Sequence, residues 1–157
     1  MTTPPARTAL IIPARDEEAT ISVVVEEARP YVDEVVVVDN GSHDQTAARA
    51  AAAGARVVAE PTPGYGRACM TGAFATDAGV LVFMDGDGSD VSARIPALID
   101  AIEAGASLAL GVRQGTAVEP GSITPPARLG NLLAGLLLAG LHGRRLHDLS
   151  PLKAIRR

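Results

Sequence analysis

At 157 residues the chain suits one domain with a real core, and 47% hydrophobic but only 3% aromatic content assigns that core to Val, Ile, Leu and Ala. The single cysteine, Cys69, excludes an internal disulfide and a thiolate zinc set. The net charge of −4 conceals an asymmetry: residues 1–127 carry 8 Lys+Arg against 17 Asp+Glu, residues 128–157 carry 6 against Asp148 alone, and so acidic a body argues against broad nucleic-acid binding.

Residues 8–12 (TALII) predict a first buried strand stopped by Pro13. Asp16, Glu17 and Glu18 then crowd the start of a segment in which Ile21, Val24, Val25 and Ala28 recur at helical spacing. This predicts an amphipathic helix whose N-terminal dipole the acids complement, ended by Pro30. Residues 35–38 form a β-branched second strand that runs into Asp39, Asn40, Gly41 and Ser42. Asp44 is placed to cap a helix over residues 46–53, closed by Gly54. A third strand is expected over residues 56–59, then a Pro/Gly loop and a helix over 67–76.

Residues 79–90 (GVLVFMDGDGSD) hold the most telling stretch. The apolar run 80–84 predicts a strand buried on both faces, and it ends in Asp85 and Asp87, separated by Gly86. Open parallel sheets bind ligands at the carboxyl ends of their strands. Two nearby carboxylates repel unless a cation lies between them, and hard oxygen donors suit Mg²⁺ or Mn²⁺. The glycines allow close backbone approach, so the stretch reads as a metal and diphosphate site; the bland alternative is a solvated acidic turn. Ser92 is expected to cap a helix carrying Ile95, Leu98, Ile99 and Ile102, and residues 108–111 form a fifth strand.

Strands alternating with helices imply an α/β fold: a mostly parallel sheet with right-handed crossovers, flanked by helices. Residues 112–127, rich in Pro, Gly and Thr, read as a long lid-like loop, and residues 128–142 as a helix with a leucine face. No signal peptide is indicated at the start, and the longest apolar stretch, residues 132–141, is too short to span a bilayer. The basic, leucine-rich tail is compatible with contact at an anionic membrane surface, or is an ordinary cationic surface helix. His43, His142 and His147 lack metal spacing, and Cys69 reads as a small core residue.

The series IIPARDEE (11–18), VVVVDNGSHDQT (35–46), GYGRA (64–68), FMDGDGSD (83–90), GVR (111–113) and RLGN (128–131) resembles the family 2 glycosyltransferases of GT-A fold, a Rossmann-like nucleotide-sugar transferase architecture. The likeness is nearest to the branch that acts on dolichyl or polyprenyl phosphate, which the tail HDLSPLKAIRR (147–157) also resembles.

The resemblance implies a single glycosyltransferase domain over 1–157. Residues 1–111 would bind the nucleotide-sugar, 112–127 would form an active-site loop, and 128–157 an acceptor-side interfacial helix and basic tail, shortened relative to that branch. Pro13, Ala14, Glu17, Asp39, Asn40, Gly66, Asp85 and Gly86 would line the pocket of a UDP- or GDP-linked sugar. Asn40 stands where the commoner form has a second Asp. Asp85, Asp87 and Ser89 would hold Mg²⁺ or Mn²⁺. Arg113 and Arg128 would face an acceptor phosphate, with Asp87 and Arg113 as the catalytic pair.

The implied reaction moves a sugar to a polyprenyl phosphate, at the inner face of the cell membrane of the cytoplasm. A transferase with a soluble acceptor and a non-catalytic nucleotide-sugar-binding remnant are the alternatives. A partner subunit or a second copy of the chain would supply acceptor-side surface that the shortened tail lacks.

Overall fold

The computed structural model describes residues 6–111 and 152–157. Residues 6–109 and 152–157 belong to one compact unit. Six strands make one sheet in the order β3-β2-β1-β4-β6-β5. They are β1 Thr8–Ala14, β2 Glu34–Asp39, β3 Arg56–Ala59, β4 Val80–Phe83, β5 Leu108–Leu110 and β6 Lys153–Arg156. The helices are α1 Ile21–Ala28, α2 Thr46–Ala52, α3 Tyr65–Phe74 and α4 Ile95–Glu103, with 3₁₀ turns at Arg29–Tyr31 and Ser92–Arg94.

The central parallel strands β1, β2 and β4 are apolar through their middles because both faces are covered. Alternate residues of β1 serve different cores. Leu10 and Ile12 join Ile21, Val25, Ile95 and Ile102 on the side of α1 and α4. Ala9 and Ile11 join Val36, Val38, Phe83 and Ala68 of α3 on the other. Phe83 is the one aromatic among the buried hydrophobics of the described residues, as the composition required. The predicted face of α1 is the observed one: Ile21, Val24, Val25 and Ala28 are buried.

Five expectations change. Pro13 does not stop β1, which runs to Ala14 and pairs Pro13 with Val38. Because Met84 N–H donates to Ile11 O at 3.2 Å, the N–H that Pro13 lacks would face β4, just where β4 has ended. No ladder bond is lost. Asp16, Glu17 and Glu18 precede α1 instead of filling its first turn, which holds no acid. Helix α3 covers Tyr65–Phe74, where the sequence predicts 67–76. Ser92 opens a 3₁₀ turn and gives no side-chain cap.

The fifth change is β6, which the basic tail conceals. Lys153–Arg156 inserts antiparallel to β4, pairing Leu81 with Ile155 and Phe83 with Lys153. Its basic residues are used there: Lys153 Nζ lies over the Phe83 ring at 5.7 Å, while Arg156 and Arg157 donate to the carbonyls of Ile102 and Thr76. The predicted loop over 112–127 and helix over 128–142 lie outside the described residues.

Helix α3 packs flush on the sheet through Gly72, where an added Cβ would stand 2.4 Å from Ile11 Cγ2 and 2.9 Å from Val38 Cγ2. Gly72→Ala is expected to destabilise the fold by about 1–3 kcal/mol through overpacking. Gly66→Ala, with nothing within 4 Å, is expected to be neutral or slightly stabilising. Urea unfolding of the two variants checks the contrast.

Candidate nucleotide-sugar site

Where β1 and β2 end, the parallel ladder continues for one step: Asn40 N–H donates to Ala14 O and Glu60 N–H to Asp39 O, each at 2.9 Å. Beyond that step, side chains take over the backbone groups. Asp16 adopts a left-handed backbone (φ 56°), a conformation Asp tolerates better than most residues. Its N–H donates to Ser42 Oγ at 3.1 Å, and its carboxylate accepts the His43 N–H at 2.7 Å. Glu17 N–H donates to Thr46 Oγ1 at 2.8 Å and Glu18 N–H to Asp44 Oδ2 at 3.1 Å. Asp44 Oδ1 also accepts the Thr46 N–H at 2.9 Å, satisfying the start of α2. The loops after β1 and β2 are thus laced together, and the acids expected to serve the dipole of α1 brace this lacing instead.

Asn40 is buried and organises the next loop. Its Nδ2 donates to the carbonyls of Glu60 and Thr62, and its Oδ1 accepts the Gly64 N–H, all at 2.8 Å. Glu60 completes the brace: its carboxylate accepts the Thr62 N–H at 2.9 Å, Arg67 Nε at 3.2 Å and the Thr71 hydroxyl at 2.7 Å. These partners, the Thr71 hydroxyl foremost, hold the Glu60 carboxyl below the usual range. Gly64, at φ 150°, then turns the chain into α3.

These loops and the end of β4 enclose a cavity of about 420 Å³, lined by Pro13, Ala14, Glu17, Asn40, Asp85 and Asp87 together with Arg15, Gly64, Tyr65 and Ala68. Six of the residues expected at a nucleotide-sugar or metal site therefore share one wall. Four others do not line it. Asp39 accepts the Ser42 N–H at 3.0 Å and serves the turn. Gly66 lies within α3. Gly86 packs against Ile12, Ile21 and Ala14, with its carbonyl accepting the Thr20 hydroxyl at 2.8 Å. Ser89 donates its backbone N–H to Asp87 Oδ1 at 2.8 Å, closing the turn around that carboxylate. Asn40 lines the cavity, and both ends of its amide serve the loop. Arg113 and Arg128 lie outside the described residues.

Negative charge accumulates in the cavity. Burial, then the charge of Asp87 and more weakly that of Asp85, raises the Glu17 carboxyl above its ordinary range, against the lowering effect of Thr20. Tyr65 donates its phenolic O–H to Asp85 Oδ1 at 3.0 Å. Burial and the Asp85 charge push that phenol well above the usual tyrosine range, so it remains a donor at neutral pH. Neighbouring Cys69 is half-buried and its thiol is pushed up by burial, in keeping with a packing role.

The donor set suits a hard divalent cation: two carboxylates one residue apart face the cavity that Glu17 also lines. Among the described residues no group of three or more His, Cys, Asp or Glu is arranged to hold a metal ion. Mg²⁺-type sites commonly use one or two carboxylates, completed by water and substrate phosphates. The signal for Tyr65 was present in the GYG tripeptide that opens α3, but nothing in its spacing reveals that the ring reaches Asp85.

Residues 9–155 match the family described as Glycosyl transferase family 2. The chain belongs to that family. An uncharacterized glycosyltransferase of Mycobacterium tuberculosis is 36% identical over 149 residues, covering 94% of this chain and 66% of the relative. Glucosyl-3-phosphoglycerate synthase of Mycolicibacterium smegmatis is 39% identical over 90 residues, 50% of this chain and 30% of that protein. Among solved structures, the M. tuberculosis glucosyl-3-phosphoglycerate synthase is 31% identical with a TM-score of 0.76, over 96% of this chain and 57% of that one. Another structure of that enzyme, with Mn²⁺, UDP-glucose and phosphoglyceric acid, is 30% identical with a TM-score of 0.76, over 96% and 56%. The chain thus spans about two thirds of the first relative and little more than half of the solved ones. The six-stranded α/β sheet flanked by helices is the GT-A fold of this family.

Two outcomes follow from the site. Asn40→Asp removes both donated hydrogen bonds and sets a carboxylate against the Glu60 and Thr62 carbonyls. Thermal or urea unfolding is expected to show a loss of about 1–3 kcal/mol. For Glu17 the folded carboxyl titrates above the unfolded one, so its ionisation costs stability as pH rises through that window and costs nothing below it. Glu17→Gln is expected to melt like wild type near pH 4 and slightly above wild type at pH 7. An equal difference at both pH values would contradict the charge account.

Proposed function

We propose that the chain transfers a sugar from a UDP-linked donor to a small phosphorylated acceptor in a reaction that needs Mn²⁺ or Mg²⁺. The observation that carries this reading is the pair Asp85 and Asp87 at the carboxyl end of β4, opening into the cavity that Pro13, Ala14 and Glu17 line from β1. Relatives of known structure have been seen with Mn²⁺ and UDP-glucose, and with phosphoglyceric acid or glycerol 3-phosphate. Those acceptors support the soluble-acceptor alternative over the polyprenyl phosphate that the motif series suggested. No helix among the described residues is long and apolar enough to cross a membrane.

Asp85 and Asp87 would hold the cation, which when bound supplies Lewis-acid stabilisation of the leaving diphosphate. Tyr65 restrains the Asp85 carboxylate through its hydrogen bond, and the Ser89 N–H does the same for Asp87. Pro13, Ala14 and the braced segment up to Gly64 form a preorganised wall, so ligand binding has little loop ordering to overcome. Arg113 and Arg128 are assigned to the acceptor phosphate, where a guanidinium offers paired donors matched to phosphate oxygens. A phosphate acceptor is already ionised, whereas a hydroxyl acceptor calls for a carboxylate base.

Calorimetric titration with UDP-glucose and a GDP-sugar, with and without Mn²⁺, tests the donor half. Binding of UDP-glucose is expected to require the metal and to vanish in the Asp85→Ala, Asp87→Ala double variant. UDP release on adding 3-phosphoglycerate or glycerol 3-phosphate, and none with polyprenyl phosphate in vesicles, is the expected acceptor result. Failure to bind either nucleotide overturns the transferase reading in favour of a non-catalytic module.

A further inference from the structure

We propose that Tyr65 is a positioning residue for the divalent cation, acting by holding the carboxylate of Asp85 in its ligating orientation. The inference rests on the cation reading above and concerns a side chain that the acidic motif does not contain. Tyr65 is the first residue of α3, and its ring stands at the cavity wall, 49% exposed. Its hydroxyl hydrogen is directed at Asp85 Oδ1, 3.0 Å away. A carboxylate offers about four lone-pair sites over two oxygens, so one carboxylate can accept a phenol and bind a cation at once. The backbone of Asp85 is restrained as well, its N–H lying 3.4 Å from Asp90 Oδ2.

The placement of Tyr65 is built rather than incidental. Gly64, at φ 150°, sets the turn into α3, and its N–H is fixed by Asn40 Oδ1 at 2.8 Å. Glu60, tied to Arg67 and Thr71 on the same helix, prevents the loop from swinging away from the helix it feeds. The phenol is thereby delivered from α3 to an acid on the neighbouring β4 loop. Outer-sphere hydrogen bonds of this kind orient ligating carboxylates, and their loss typically weakens metal binding 10- to 100-fold.

Mn²⁺ titration of the folded protein, read by the paramagnetic resonance signal of free Mn²⁺, tests the inference without turnover. Tyr65→Phe keeps the ring and removes only the hydroxyl; the Mn²⁺ dissociation constant is expected to rise about 10- to 100-fold with an unchanged melting temperature. Tyr65→Leu is expected to give the same loss, should the Phe variant pack differently. Wild-type affinity or tighter binding in both Tyr65 variants overturns the proposal. If wild type takes up no Mn²⁺, the cation reading itself falls and takes this one with it; a wild type that binds, with a Tyr65→Phe variant that binds as well, removes the inference alone.

Discussion

A parallel sheet leaves the last N–H and C=O groups of its strands without ladder partners along one edge, and buried backbone groups must be paired somewhere. At the carboxyl edge of this protein side chains do that pairing. Asn40 satisfies two carbonyls and one N–H of the loop after β3, and Asp16, Ser42, Asp44 and Thr46 satisfy the turns after β1 and β2. Ligand-binding walls in such folds are made of these loops, so the shape of the cavity is fixed by groups whose first duty is to the backbone. That ordering explains why Asn40, although it faces the cavity, has no donor left for a ligand.

The same edge carries an electrostatic load. Glu17, Asp85 and Asp87 share one cavity, and the Glu17 carboxyl is raised by burial first and then by the charge of Asp87 and Asp85. A protein selected for stability alone would place a cation or a neutral side chain there. Retaining three acids is consistent with a site whose charge balance is completed by what it binds, and whose empty form carries the cost. Tyr65 softens that load locally by donating to Asp85, a neutral hydrogen bond that leaves the negative charge in place for a metal.

Much of the fold was legible because the strands are short, continuous and β-branched. Residues 35–38 and 56–59 could scarcely be read otherwise, and the face of α1 followed from helical spacing alone. The carboxyl-edge position of Asp85 and Asp87 was legible too, since a buried strand that stops at two acids defines its own end. Three things were not. The register that lets Pro13 sit inside β1 depends on where β4 stops, a relation between residues about 70 apart. The hydrogen bond from Tyr65 to Asp85 crosses 20 residues and depends on the placement of a loop. Strand β6 was hidden because its alternation of basic and apolar residues resembles a solvated tail; burial of Ala154 between two strands is a tertiary fact. The bonds that Asn40 makes were not legible either: side-chain type suggests what can be bonded, and only the surrounding chain determines what is.

The insertion of β6 between β4 and β5 has a bearing on how the molecule is made. During translation, β1 to β5 leave the ribosome before residues 153–156 exist. Until they arrive, β4 has an open flank and β5 has no neighbour on that side, so the nascent sheet presents an uncovered apolar edge of the kind that recruits other chains. The antiparallel direction of β6 lets a returning segment enter that gap without a crossover helix. A segment synthesised after the other five strands therefore closes the sheet beside the strand that carries the paired acids.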